Sequence, residues 1–401
     1  MASLAPAYQP RRPHETALYR LVKEHGDEFL GHARDAYDGP LPRYVEKELR
    51  GYLRCGDFSR GFVHLQCANC KHDLLVAFSC KNRGLCPSCA GRRMAAQAAH
   101  LVDCVLPAVP IRQYVLSFPF ELSALAATRP DVLRALARIH ANALAAHYRA
   151  ALKRAGHTGK VHPGSVTFVQ RFGSSLNSHV HLHTCALDGA FVEREGALSF
   201  ARGEPVTRGE LYAIVGRVFL RVHAWLKKRG YLRTDAGDES NEAPRLTLEE
   251  TLTNLAMGRG TVREIRDSGD EHEADEPMSA PIAKSDAVTH HGFNLHGSVT
   301  ALADDDVGRE RLARYGLRPP FSVARLSFQR DGMLRYRVKA VGRGRAKVRV
   351  MTPVEAMARL VALIPPPRYP LTRFYGVLAP RHRLRSRIAS ASSECARRCV
   401  S

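Results

Sequence analysis

At 401 residues the chain has room for two domains with a true core, and its 45% hydrophobic content is that of a globular protein. It carries 60 Lys and Arg against 39 Asp and Glu, a net charge of +21. That excess points to a polyanionic partner, nucleic acid before membrane, and no apolar run approaches the ~18 residues needed to span a bilayer. The first residues, MASLAPAYQPRRPHET, hold no apolar stretch of the kind a secretory signal needs, so a cytoplasmic location is expected.

In chain order, helices are expected over about 15–34 and 41–54, followed by a cysteine-rich segment at 55–104. CANC (67–70) and CPSC (86–89) are two Cys-x-x-Cys pairs separated by fifteen residues, the spacing of a tetrahedral zinc site. Cys67, Cys70, Cys86 and Cys89 are therefore the expected zinc ligands. Cys55 and Cys80 are extra. Either they complete a second site with His64, His72 or His100, or they are buried as small hydrophobic side chains. Lys71, Lys81, Arg83, Arg92 and Arg93 surround the pairs, which suits a basic zinc module that touches phosphates. The alternative is a staple without DNA contact.

RQYVLSFPF (112–120) reads as a strand, and the Ala- and Leu-rich stretch 123–155 as helix. VTFVQRF (166–172), the turn SSLN (174–177) and NSHVHLHTCALDGAF (177–191) then read as a hairpin over 164–187. Side chains two apart on a strand share a face, so His179, His181 and His183 line one face and Val180 and Leu182 the other. Neutral imidazoles spaced this way form a compact half-site for a divalent metal; the plain alternative is a polar face with solvated histidines. Gln170 lies across the hairpin from His181, where cross-strand neighbours come within ~5 Å. Asp188-Gly189 signals a turn.

Residues 206–230 have apolar positions at helical spacing. Acidic, polar insertions near 235–245 and 264–284 follow. Next come a short helix near 305–315 and a hairpin, FSVARLSFQRDGMLRYRVKA, turning at Asp331-Gly332. Thr352-Pro353-Val354-Glu355 then opens a last helix as a capping box. Strands and helices mix without regular alternation, which implies an α+β fold on an antiparallel sheet.

Three chemistries suit metal-binding histidines on such a chain. An oxygenase with a His-x-His pair and Asp188 as carboxylate would leave the basic charge and the zinc module unexplained, and the many-stranded barrel pattern is missing. A hydrolase acting through metal-bound water is the second. The third is DNA strand cleavage by a tyrosine, with the metal polarising the scissile phosphate.

The segments FSCKNRGLCPSCAGRRM, VTFVQRFGSSLNSHVHLHTCALDGAF, GFNLHGSV, ERLARYGLRPP and RFYGVLAP, spread over about 41–385, resemble rolling-circle transposases. These are the HUH-type enzymes of the insertion-sequence common-region group and their two-tyrosine relatives. The resemblance implies an N-terminal region of helices and zinc-binding domain (1–105). It implies a catalytic HUH domain built on an antiparallel sheet (106–385); the tail 386–401, Ser- and Arg-rich with two cysteines, is expected to be disordered. The metal pair falls on His181 and His183, with Gln170 as the candidate third ligand. His179 stands where the family has another residue, and either adds a ligand or only starts the strand. The nucleophile falls on Tyr315, with Tyr375 as rival. Arg311 occupies the place of a second tyrosine, which implies a single-tyrosine enzyme. Arg92, Arg93, Arg311 and Arg314 are candidate phosphate contacts. The implied cofactors are structural zinc and catalytic Mg²⁺ or Mn²⁺, and the implied partner is DNA, single-stranded at the element ends, with no membrane and no nucleotide cofactor. The reaction would be a nick that leaves a 5′-phosphotyrosine. A plasmid replication initiator or relaxase of the same chemistry, and a zinc-containing DNA-binding protein without activity, are the other readings.

Overall fold

The computed structural model describes residues 12–36, 40–231, 287–338 and 348–388; the acidic insertions near 235–245 and 264–284, and the tail from residue 389 onward, lie outside the described residues. The first helices form where expected, α1 (Ala17–Ala36) and α2 (Arg43–Leu53). Leu18, Leu21, Val22, Phe29 and Ala33 recur at helical spacing and form the buried face of α1. A hairpin follows, β1 (Phe62–Gln66) and β2 (Asp73–Ala77). The cysteine-rich segment also holds a helix that was not expected, α3 (Pro87–His100), whose first residue is a proline after Cys86, at the position where a missing N–H costs nothing.

The strand expected at 112–120 is β3 (Ile111–Ser117), ending early because Phe120 already belongs to α4 (Phe120–Thr128). The expected helix over 123–155 is two helices, α4 and α5 (Pro130–Arg154). Arg129, just before Pro130, is held extended at φ −109°, ψ 102°, as the proline ring requires. Then come β4 (Lys160–His162), β5 (Gly164–Phe172), β6 (Ser178–Leu187), β7 (Gly189–Arg194), β8 (Ala197–Arg202) and α6 (Arg208–Lys228). The rest is β9 (Ala287–His290), β10 (Phe293–Ala301), α7 (Asp306–Gly316), β11 (Leu326–Phe328), β12 (Leu334–Arg337), β13 (Val348–Met351), α8 (Pro353–Ala362) and β14 (Thr372–Gly376).

The fold is α+β, and its central element is a six-stranded sheet in the order β14-β5-β6-β3-β10-β9, every neighbour antiparallel. Asp188-Gly189 is a corner rather than a hairpin turn: Gly189, at φ +148°, passes the chain from β6 into β7 of a separate sheet, β4-β7-β8. A Cβ on Gly189 would run into the carbonyl of Ala201, so no other residue fits.

The two faces of the main sheet are covered differently. Leu116, Val180, Leu182 and Leu295 pack beneath α4, α5 and α6. Val166, Phe168, Cys185 and Leu187 pack beneath α3 and α7, against Ala98, Leu101, Leu312 and Ala313. A third core joins the two ends of the chain. It sets α1, α2 and the cysteine segment against β11, β12, β13 and α8 through Leu18, Leu49, Leu334, Met351 and Leu360.

Candidate active site and metal centres

β6 presents His179, His181, His183, Cys185 and Leu187 on the face beneath α3 and α7, grading from half-buried His179 to the fully buried Leu187. Consecutive imidazoles lie 5.2 and 5.0 Å apart between ring centroids, and the Tyr315 ring stands edge-on to His183 at 5.0 Å. Nδ1 of His181 lies 3.2 Å from the backbone oxygen of His179. A proton on Nδ1 makes that contact a hydrogen bond and leaves Nε2 as a bare lone pair, the tautomer a metal needs. Burial holds both imidazoles neutral: it drives His181 well below its ordinary range and His183 down to about 3, with the neighbouring charge of Arg318 acting the same way.

Both nitrogens of His183 and the hydroxyl of Tyr315 are buried without a hydrogen-bond partner among the described residues. Three orphaned polar atoms on two rings in contact are costly unless something else satisfies them. Neutral imidazoles beside an unpaired phenol are a donor set that fits a divalent ion and a phosphate oxygen. Burial raises the Tyr315 phenol above its ordinary value, and the Arg318 guanidinium opposes that rise.

The position of Tyr315 follows from how α7 is anchored. Asp305 caps the helix, accepting from Gly308 N at 2.8 Å. Arg309, almost wholly buried, donates to the carbonyls of Leu106 and Pro107 at 3.1 and 2.7 Å and ties α7 to the chain after α3. Gly316 lies so close to the Phe168 ring that a Cβ would collide with it, which lets the helix end settle on the sheet beside the histidines. Val307, Leu312 and Tyr315 lie at spacings that would put them on one helix face, but they are not all buried. Leu312 is buried, but Val307 is 70% exposed, because the buried stripe runs through Arg309, Leu312, Ala313 and Gly316 instead.

Gln170 pairs with His181 in the expected register. Its amide is engaged elsewhere. Nε2 donates to the carbonyls of Tyr315 and Gly316 at 2.8 and 3.2 Å, and Oε1 accepts from Arg318 Nε at 3.1 Å. Arg318 itself lies over the rings of Tyr315 and Phe172 at 4.9 and 5.2 Å. It was not foreseen, although it stands three residues after Tyr315, the spacing at which helical neighbours meet. Tyr375 pairs with Ser165, and its ring packs into the core under α4–α6, on the far face of the sheet from the histidines. Arg314 is ion-paired with Glu310 at 2.7 Å, and Arg92 and Arg311 are exposed. Arg93 donates to the carbonyls of Lys81 and Asn82 at 3.0 and 3.3 Å.

The cysteines group differently from their spacing. Cys86 and Cys89, at the start of α3, converge with Cys55 and Cys80, all four sulfurs within 4.8 Å of one another. Cys55 lies 3.7 Å from Cys89 and 3.6 Å from Cys86, and Cys80 lies 3.5 Å from Cys89. These are the edges of a tetrahedron about one ion: a Zn–S bond of ~2.3 Å implies sulfurs ~3.8 Å apart. Hydrogen bonds among the thiols, from Cys80 first, pull Cys55 down to about 6, so a thiolate is at hand for the metal. Cys55 and Cys80 are thus part of the cluster, not isolated small hydrophobes. Cys67 and Cys70 sit exposed at the tip of the β1–β2 hairpin and do not join it. Cys67 Sγ accepts from the backbone N–H of Cys70 and Asn69, which holds its thiol below the ordinary value. Pair spacing is a local signal, whereas Cys55 and Cys80 reach the cluster only through the packing of α2.

Two family models match the chain. One, described as a transposase zinc-binding domain, matches residues 21–118. The other, Y2_Tnp, described as "Putative transposase", matches residues 164–386, more than half of the chain. The chain belongs to this transposase family. Neither a curated protein nor a solved structure matches it. For a transposase the partner is DNA, the four-cysteine cluster within the zinc-binding match is a structural zinc centre, and the histidine strand and α7 both fall within the transposase match. Among the described residues, no helix of the transposase is long and apolar enough to cross a membrane.

Proposed function

We propose that the transposase cuts one DNA strand by attack of the Tyr315 hydroxyl on a backbone phosphorus, by HUH-type rolling-circle chemistry, with His181 and His183 holding a divalent ion such as Mg²⁺ or Mn²⁺. The observation that carries this reading is the contact of the His181, His183 and Tyr315 rings, with both nitrogens of His183 and the Tyr315 hydroxyl buried and unpaired among the described residues. The bound ion would supply Lewis-acid polarisation of the scissile phosphate. The chain's own residues do the rest. Gln170 fixes the C-terminal turn of α7 and so the direction of the phenol. Arg318, stacked on the Tyr315 ring, favours the phenolate. A phenol of ordinary pKa ~10 is a weak nucleophile at pH 7, and burial raises it further, so its proton has to leave as the oxygen meets the scissile phosphate.

Attack forms the O–P bond of a 5′-phosphotyrosine and expels the 3′ oxygen, which takes a proton. The ester conserves the bond energy, so a second 3′-hydroxyl can reverse the step and rejoin the strand without ATP. Gln170 acts here as a positioning residue rather than a metal ligand. Tyr375 serves the core.

Incubation with a labelled single-stranded oligonucleotide from the element end and Mn²⁺ tests the reading. A covalent adduct is expected with the wild-type protein and with Tyr375→Phe, and none with Tyr315→Phe. An adduct that persists in Tyr315→Phe moves the nucleophile elsewhere.

A further inference from the structure

Beside Tyr315 the structure holds a cavity of about 390 Å³, within the size range of small-ligand sites. It lies on the seam between the two halves of the molecule. One wall is α3, which begins at the zinc cluster, through Arg93, Met94 and Gln97; the other is the end of β5 and the chain after α7. Four arginines line it, Arg83, Arg93, Arg171 and Arg318, and no carboxylate does among the described residues. Like charges gathered in one cavity repel one another and burial adds to the cost, although Glu48, outside the lining, acts on Arg83 and the Tyr369 carbonyl accepts from its guanidinium at 2.7 Å. Burial and then Arg93 weaken the charged form of Arg83 against the pull of Glu48, and burial, helped by Arg325, does so for Arg318.

Arg171 is the most telling of the four. It is 4% exposed, and Nε and Nη1 are buried with no hydrogen-bond partner among the described residues. Its guanidinium otherwise meets the face of the Tyr369 ring at 5.4 Å. A guanidinium in that state awaits an anion with oxygens on one plane, which a phosphate supplies. The C-terminal end of a helix would ordinarily repel an anion, but Gln170 Nε2 caps the carbonyls of Tyr315 and Gly316 that end α7. Met94, Val169, Phe172 and Leu317 give the lining an apolar part, and the Arg318 guanidinium lies over Phe172 as a plane against which a base can stack.

We propose that this cavity receives one unstacked nucleotide of the strand being cut, its phosphate on the arginines and its base against the apolar wall. The size and the mixed lining suit a nucleotide, not a base-paired duplex, and make the substrate single-stranded at this point. That the bound strand is presented to Tyr315 rests on the cleavage reading; that the cavity holds a nucleotide does not.

The test is equilibrium binding of a labelled eight-residue oligothymidylate to the full-length, zinc-loaded protein in buffer without Mg²⁺ or Mn²⁺, read by fluorescence anisotropy. Arg171→Gln removes the unpaired guanidinium. Gln97→Glu, at an exposed residue of the rim, sets a carboxylate against the phosphate without touching the core. Each is expected to weaken binding about 5- to 10-fold, and Arg171→Gln to lower the slope of log K against log salt by about 0.7 for one lost phosphate contact. A duplex of the same length should bind both variants as it binds the wild type. Thermal melting checks that both are folded. Wild-type affinity and slope in both variants overturn the proposal, and so does an equal loss for duplex, which would make the arginines a general basic surface. Anisotropy changes that persist when no Tyr315 adduct forms would leave the cavity standing and remove the cleavage reading. An adduct with unchanged anisotropy would do the reverse.

Discussion

His183 and His140 are both fully buried, both carry two unpaired ring nitrogens, and burial pushes both down to about 3. They lie on opposite sides of the main sheet. His183 faces His181 and Tyr315, within 5.0 Å of each between ring centroids. His140 sits on α5 among Leu136, Ala137, Ala143 and Leu144, all part of the apolar core. A buried orphan imidazole is therefore no sign of a site by itself. The sign is convergence, several polar side chains brought into contact with one another. The cysteines teach the same lesson, since Cys185 is buried alone whereas Cys55, Cys80, Cys86 and Cys89 meet.

The sharpest way to break this contrast is to remove each histidine in turn. His183→Ala should lower the rate of strand cleavage by about 10³-fold or more. The metal's share of transition-state stabilisation is several kcal/mol, at about 1.4 kcal/mol per tenfold. It should also abolish the rise in melting temperature that Mn²⁺ gives the wild type. His140→Ala should cleave at the wild-type rate and keep that thermal shift. Equal losses in the two variants would mean that convergence carries no functional information here.

The cysteines extend the test. Cys80→Ser should lose the single zinc and destabilise the region formed by α1, α2 and α3 by several kcal/mol, because binding energy at a structural zinc centre is folding energy. Cys67→Ser should keep the zinc content and the melting temperature. Elemental analysis beside calorimetry reads both, and zinc loss in Cys67→Ser with retention in Cys80→Ser would restore the grouping expected from the spacing.

How much of this was legible in the sequence depends on the range of each signal. The histidine strand, its face and the pairing of Gln170 with His181 could all be read from period-two alternation, because register in a short hairpin is set locally. So could the helix around Tyr315 and its acidic cap, and the Thr352 cap, which accepts from Glu355 N at 3.1 Å. What the sequence hid was long-range. Cys55 lies 34 residues from Cys89 yet touches it. Arg309 reaches the carbonyls of Leu106 and Pro107, about two hundred positions earlier in the chain. No local pattern shows that Gln170 spends its amide on α7 and Arg318. The split between α4 and α5 was locally written in Arg129-Pro130, and the alanine-rich run around it masked the break.

The far face of the sheet also shows what a buried charge needs. Arg112 holds Asp188 through two bonds, 2.7 and 3.1 Å, and Tyr148 donates to the same carboxylate at 3.1 Å. Asp188→Asn should destabilise the fold by about 3–5 kcal/mol, since it leaves the Arg112 guanidinium buried without its counter-charge. Cleavage per folded molecule should not change. If Asp188→Asn costs no stability in urea denaturation, the Arg112–Asp188 pair does not stabilise the fold.

The smallest effect isolates the solitary histidine. An unfolded chain protonates His140 near its ordinary 6.5, whereas the folded chain resists until about 3. Between those values the unfolded state binds the extra proton, so stability falls as pH falls and is recovered above 6.5. At pH 5 the two pKa values imply a loss of about 2 kcal/mol relative to pH 7 from this residue alone. His181 and His183 are shifted the same way and steepen the wild-type profile. His140→Leu keeps an apolar side chain of similar reach and deletes the proton site. Its unfolding free energy, measured in urea at pH 7 and at pH 5, should drop by about 2 kcal/mol less than that of the wild type over the same interval. Zinc thiolates and carboxylates titrate in both proteins and cancel in the difference. An unchanged pH profile in His140→Leu would show that water or a rearranged core already pairs this imidazole, and the contrast between the two faces would lose its solitary member.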